Sequence, residues 1–248
     1  MQNKQFIGSV YMKVPPEEKN YLHELPAVQY LIQGGEMEFT KNVTFFVGEN
    51  GTGKSTLLEA IAVAYGFNAE GGTKNYSFHS KDSHSELWNY LTLVKQKYSK
   101  DGFFLRAESF YNAASYLEEV NESGLGTGIY HLYGGDSLHH QSHGESFLAL
   151  IQNRFWGDGI YILDEPEAAL SPMKLMTLLI EIDKLVKKDS QFIIATHSPI
   201  LMAFPNAQIY QFGEKGVQEV LYKETEHYQL SRRFLENPER MLKYLLEE

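Results

Sequence analysis

The chain has no cysteine, and that absence excludes a disulfide framework, a thiolate zinc site, an iron–sulfur cluster and a cysteine nucleophile. Long apolar runs are missing too. No stretch approaches the roughly 18 to 20 residues that a membrane span needs, and the opening Met1-Gln-Asn-Lys-Gln-Phe6 has no apolar signal core. Positive charge is in deficit: Lys and Arg number 22 against 32 Asp and Glu, a formal charge of -10. That sign excludes a protein that coats nucleic acid through a general basic field and leaves only a local basic patch open. There is no internal repeat and no low-complexity segment. What remains is an ordinary globular composition, 43% hydrophobic over 248 residues, enough for one α/β domain with a large core. The expectation is a single cytoplasmic domain over 1–248 without a membrane-spanning segment.

Strands and helices alternate along the chain. Phe6 to Met12 reads as a strand, and Ala27–Ile32 and Glu36–Thr40 flank Gly34-Gly35 as the two arms of a hairpin. Val43-Thr-Phe-Phe-Val47 is a nearly continuous apolar run, the pattern of a strand buried on both faces. From Ser55 a helix apolar nearly all round runs to Gly66. Residues 68–85 read as a loop, Glu86 to Tyr98 as an amphipathic helix, and Gly102 to Glu108 as a strand. A helical stretch around Ala113–Val120 and a glycine-spaced loop from Gly124 to Gly135 follow. An apolar-striped helix then begins at Ser142, before a strand over Gly159–Leu163. Ser171-Pro172 is a cap with proline at the first helical position, and Gln191–Ala195 is another buried strand. Gln208–Phe212 and Gly216–Tyr222 read as short strands before helices through Leu246. Alternation of this kind predicts an α/β fold with a mainly parallel core.

Gly48-Glu-Asn-Gly-Thr-Gly-Lys54-Ser55 fits G-x-x-x-x-G-K-[ST] and lies between a buried strand and a helix. The backbone N–H groups of Asn50, Gly51, Thr52, Gly53, Lys54, Ser55 and Thr56 are candidates to cradle phosphate oxygens at a helix N-terminus. Lys54 is expected to reach the β and γ phosphates, and the Ser55 hydroxyl to hold Mg2+. No N-K-x-D guanine reader follows, so ATP is the expected nucleotide.

Ile160-Tyr-Ile-Leu-Asp164-Glu165-Pro166 ends an apolar strand in two carboxylates, at the sheet edge where ligands of open α/β folds sit. Asp164 suits the Mg2+ shell, and Glu165 the water that attacks the γ-phosphate. The last buried strand ends in Ala195-Thr196-His197, so a histidine is expected on the same edge.

These residues together resemble the ABC-type ATPases, the superfamily of transporter nucleotide-binding domains and of SMC-like and OLD-like chromosome and defence ATPases. The phosphate loop is similar to Walker A, and Leu163-Asp164-Glu165-Pro166 to Walker B with its catalytic glutamate. Ala169-Leu-Ser-Pro172 resembles the D-loop, and His197 the switch histidine. Ser142-His-Gly144-Glu145 stands where the family places its signature, but Gln141 replaces the leading Leu and His143 the first Gly. That form is closer to the SMC-like and OLD-like branch than to transporter subunits. At the lid glutamine the chain reads Arg106-Ala107-Glu108, which leaves two readings: Glu108 stands in beside the metal, or it forms a strand-end ion pair with Arg106. Tyr11 is a candidate for adenine stacking by position alone.

The resemblance implies a P-loop NTPase of ABC-ATPase type. Its mainly parallel core sheet carries an antiparallel β-subdomain and a small helical subdomain bearing the signature, within about 68–145. It implies Glu165, His197 and Lys54 as catalytic residues and Ser55, Asp164 and Glu108 as metal ligands. It also implies a head-to-tail homodimer in which Ser142, Gly144 and Glu145 of one subunit complete the nucleotide site of the other. Lys54 and Ser142 are too close in sequence for the long coiled coil of SMC relatives, and the residues after His197 are too few for an OLD-like nuclease. The expected activity is slow ATP hydrolysis serving DNA maintenance or anti-phage defence, with an effector protein or DNA as further partner. The alternative is an energy-coupling subunit of a membrane transporter.

Overall fold

The computed structural model describes residues 5–17, 20–73, 85–107, 143–214 and 216–246. Its strands are β1 (Ile7–Met12), β2 (Met37–Glu38), β3 (Val43–Gly48), β4 (Leu91–Lys95), β5 (Asp101–Arg106), β6 (Gly159–Asp164), β7 (Gln191–Ala195), β8 (Gln208–Gly213) and β9 (Gly216–Glu219). Its helices are α1 (Pro26–Ile32), α2 (Lys54–Tyr65), α3 (His143–Arg154), α4 (Pro172–Val186), α5 (Pro199–Met202), α6 (Glu226–Glu236) and α7 (Pro238–Leu246). Six strands form the main sheet in the order β5-β6-β7-β3-β8-β9, parallel except for the last pair. A second sheet, β2-β1-β4, is antiparallel. The chain is α/β with a mainly parallel core and an added antiparallel sheet, as its sequence predicts.

The apolar runs explain the layering. Successive side chains on a strand point to opposite faces, so a strand covered on both sides must be apolar at every position. Phe46, Ile160, Ile162, Ile193 and Ala195 face one cluster, with α1, α2 and the antiparallel sheet. Phe45, Val47, Tyr161, Leu163, Phe192 and Ile194 face the other, with α3 and α4. α2 is apolar all round because it lies inside, and Gly66 ends it in the left-handed conformation (φ 114), donating to Ala62 O at 3.1 Å.

Two sequence expectations are overturned. The first hairpin arm is helix α1: Pro26 opens it, and Ala27, Val28 and Leu31 are buried at helical spacing while Gln29 is exposed. Six residues, five of them apolar, are too few for periodicity to separate strand from helix. The helix expected over Glu86–Tyr98 is a single 3-10 turn at Glu86–Asn89 followed by β4, because Leu91 and Leu93 alternate with Thr92 and pack on the first cluster. This part of the expected helical insert is therefore strand, and the readings at Ala113–Val120 and Gly124–Gly135 lie outside the described residues. The last strand is also shorter than expected, ending at Glu219.

A buried side chain ties the two sheets together. Gln191, fully buried on β7, accepts from Ile7 N at 2.9 Å and donates to Ile7 O at 3.0 Å. Tyr210 on β8 adds a bond from its hydroxyl to Glu38 O at 2.8 Å. Gln191→Leu keeps the volume and leaves both Ile7 backbone groups buried without a partner, each costing about 1–3 kcal/mol. The expected loss is about 2–4 kcal/mol, read as a lowered urea midpoint with unchanged slope.

Candidate functional site

Strand register sets the site. Asp164 on β6 stands opposite Ala195 on β7, which stands opposite Phe46 on β3. The pairing continues one step past the strands, with Glu165 N donating to Ala195 O at 3.0 Å and Thr196 N to Phe46 O at 3.1 Å. Three chain exits therefore leave the sheet side by side at its carboxyl edge: the phosphate loop, Asp164-Glu165 and Thr196-His197.

Within the loop, Gly48 has φ 142, and a Cβ there would lie 2.2 Å from Phe212 O on β8, so the first glycine is required by packing. Asn50 and Gly51 are exposed, Thr52 and Gly53 are buried, and Ser55 and Thr56 are half-buried. Lys54 is buried and donates from Nζ to Glu49 O at 2.9 Å, an oxygen that also accepts from Thr52 Oγ1 at 2.8 Å. Burial pushes the Lys54 ammonium below its ordinary range, against the pull of Glu165, Asp164, Glu49 and Glu167.

Ser55 Oγ donates to Asp164 Oδ1 at 2.9 Å. Behind this pair Arg106 bridges two acids, with Nη1 2.6 Å from Glu59 Oε2 and Nε 3.4 Å from Asp164 Oδ2. A polar cleft of about 160 Å³ opens here, lined by Ser55, Arg106, Ala107, Asp164 and Glu165. The donor set fits Mg2+, which takes one or two protein oxygens beside substrate phosphates and water. A hydroxyl and a carboxylate already within 2.9 Å of each other supply that pair.

Glu165 adopts the left-handed conformation (φ 47, ψ 53). For a glutamate this costs roughly 1–3 kcal/mol and needs a surrounding structure to hold it. The bond from its own N–H to Ala195 O does so. Its Oε1 lies 3.5 Å from Nε2 of His197. Glu167 accepts from the backbone N–H of His197, and burial raises its carboxyl above the ordinary range despite that bond. On its other side His197 Nδ1 lies 3.0 Å from Nε2 of His227, in the first turn of α6. Burial lowers both imidazoles. Lys54 and His227 add to this at His197 against Glu165 and Glu49, and at His227 Lys54 adds to it against Glu49 and Glu226.

The structure thus brings Lys54, Ser55, Asp164, Glu165 and His197 together. Gly144 and Glu145, at the start of α3, lie against the segment after Glu165: a Cβ on Gly144 would meet Ala169 O and Lys174 Cδ at 2.9 Å, and Glu145 is 3.9 Å from Lys174 Nζ. Ser142 and Glu108 lie outside the described residues. Tyr11 is half-buried on β1 with Lys13 Nζ 5.9 Å from its ring centre. Among the described residues the partners of Arg106 are Glu59 and Asp164, and sequence reasoning missed Glu59 although a lone acid in an otherwise apolar helix signals a buried partner. Glu167 and His227 carried no comparable signal.

Known proteins resemble the chain in two segments. Residues 28–141 match a family model described as "AAA domain", and residues 146–203 match one described as "AAA domain, putative AbiEii toxin, Type IV TA system". Structural maintenance of chromosomes protein 6 of Takifugu rubripes is 28% identical over 93 residues, covering 38% of this chain and 8% of that protein. In these matched segments the chain resembles the ABC-type ATPases. The ribose import ATP-binding protein RbsA of Bacillus cereus is 28% identical to this chain over 193 residues, 70% of this chain and 37% of that protein. The chain therefore spans little more than a third of the transport relative and under a tenth of the chromosomal one. Among solved structures, the SMC head domain from Thermotoga maritima superposes with a TM-score of 0.45 at 18% identity, over 88% of this chain and 99% of that one. Among the described residues no helix is long and apolar enough to cross a membrane.

The paired histidines give the site an acid-sensitive centre. Both are held below their ordinary value of 6.5, so below that pH the unfolded chain takes up protons that the folded one refuses. Stability is expected to fall as pH drops through about 6.5, and His227→Gln to shrink the fall. Urea midpoints at about pH 7.5 and about pH 5.5 measure it.

Proposed function

We propose that this ABC-type domain is an ATP-driven dimerisation switch with slow intrinsic hydrolysis. The observation that carries the reading is the single edge where Ser55 and Asp164 meet at 2.9 Å and Glu165 faces His197 at 3.5 Å. In it, Lys54 and the amides of Asn50 to Thr56 bind the phosphates, and Ser55 and Asp164 hold Mg2+. The ion, when bound, supplies Lewis-acid neutralisation of phosphate charge. Glu165 takes the proton of the attacking water, and His197 presents an N–H to the γ-phosphate.

Completion in trans is the second half of the reading. Ser142, Gly144 and Glu145 of one copy reach the nucleotide of the other, so ATP joins the two copies and hydrolysis releases them. The seat of Gly144 on Ala169 and Lys174 supports this, because it ties the signature helix to the D-loop segment. Met173, 72% exposed, stands beside that segment, and Met176 and Ile180 continue an exposed apolar stripe along α4. Such a stripe fits a surface that is covered when two copies close.

The switch serves DNA maintenance or anti-phage defence through a separate effector. The signature form favours that branch, as do the chromosomal relative and the toxin named in the second family description. The similarity to a ribose import protein over 193 residues favours the second reading, an energy-coupling transporter subunit. Retention of the purified protein on DNA, against co-purification with a membrane protein, separates the two.

Glu165→Gln is expected to elute as a dimer with Mg-ATP and as a monomer without it in size-exclusion chromatography. A monomer at saturating Mg-ATP overturns the sandwich. Ser142→Arg is expected to remove most of the turnover and to leave ATP binding intact. Undiminished activity removes the trans assignment.

A further inference from the structure

His227 belongs to no motif of the phosphate site and lies far along the chain from every one of them, yet its ring nitrogen meets His197 at 3.0 Å. We propose that His227 is a positioning residue for hydrolysis: it donates its Nε2–H to Nδ1 of His197 and thereby fixes the His197 proton on Nε2, facing Glu165. This rests on the reading that Glu165 and His197 carry out hydrolysis.

The bond can be protonated in two ways, and the surroundings choose. If His197 donated from Nδ1, its Nε2 would carry a bare lone pair 3.5 Å from Glu165 Oε1, one acceptor facing another. If His227 donates, an N–H points at that carboxylate, and the contact turns attractive. The remaining ring nitrogens agree. Either tautomer leaves one outer nitrogen, His227 Nδ1 or His197 Nε2, as a buried N–H without a hydrogen bond among the described residues, and at His197 the Glu165 carboxylate stands 3.5 Å away to attract it. His197 Nε2 is likewise buried without a hydrogen bond there, so its N–H is left to serve an acceptor that enters the site. Two imidazolium rings at this separation would repel, and burial holds both rings towards the neutral form. The groups facing the pair are Lys54, Glu49 and Glu165, together with Glu226 on the side of His227.

The placement of His227 is built into the tail. Thr225, fully buried, caps α6: its Oγ1 accepts from Tyr228 N at 3.3 Å and donates to Tyr222 O at 2.8 Å. The rings of Tyr222 and Tyr228 pack with centres 4.7 Å apart. His227 is thus held in the first turn of the helix, where the helix dipole disfavours a cation and favours the neutral donor. Among their described residues α6 and α7 bury none, so the first turn is the point at which this segment enters the ATPase site. The logic is that of a third group orienting a catalytic histidine, with an imidazole in place of the usual carboxylate.

Nitrogen-15 NMR of the histidine rings in the full chain tests this, with His197→Gln used to assign the His197 signals. The wild type is expected to show His197 in the Nε2–H tautomer. His227→Ala is expected to mix in the Nδ1–H form and to lower kcat by about 10- to 100-fold with KM for ATP changed less than about twofold. His227→Gln places an amide N–H near the same point and is expected to recover most of the rate. A wild-type Nδ1–H tautomer overturns the proposal, and so does a His197 tautomer unmoved in His227→Ala. Should the tautomer respond while the wild type hydrolyses no ATP, the positioning stands and the hydrolytic reading fails instead.

Discussion

The level ending of three parallel strands is the constraint on which the rest depends. β3, β6 and β7 are buried on both faces, so charged side chains are held back until the chain reaches the sheet edge. Parallel pairing in the register of Asp164, Ala195 and Phe46 makes all three leave at one height. Functional groups from distant parts of the sequence then need no long loops to meet. The two bonds just past the strand ends, from Glu165 N and Thr196 N, carry that alignment into the site itself.

Electrostatics sharpens what alignment begins. Glu49, Glu59, Asp164, Glu165 and Glu167 crowd the edge, and Lys54 and Arg106 are the cations placed among them. Arg106 shows how a buried acid is accommodated: it balances Glu59 and steadies Asp164 without occupying the oxygen that Ser55 contacts. An overall charge of -10 is therefore a poor guide to this site, where the balance is struck residue by residue.

Legibility in the sequence followed the range of the interaction. The phosphate loop was readable because glycine spacing, strand and helix are local, and the buried strands were readable because burial on both faces leaves a continuous apolar run. Ala27–Ile32 misled because so short a mostly apolar segment fits either period, and only Pro26 together with packing on the first cluster makes it a helix. Glu86–Tyr98 misled because a 3-10 turn followed by a half-covered strand imitates helical spacing. The bond of Arg106 to Glu59 and that of His197 to His227 left no trace in spacing, since each joins segments far apart in the chain.

By itself the sequence determined the fold class and the positions of the glycine-rich loop, the two carboxylates and the histidine at the strand ends, because each follows from local pattern and from which residues tolerate full burial. Tertiary structure alone decided how those groups face one another: the left-handed turn at Glu165, the arginine shared by two acids, the glutamine that joins two sheets, and the tail histidine set against His197. The physical reason is that hydrogen-bond geometry depends on distances in space, and those exist only once register and layer packing have fixed them.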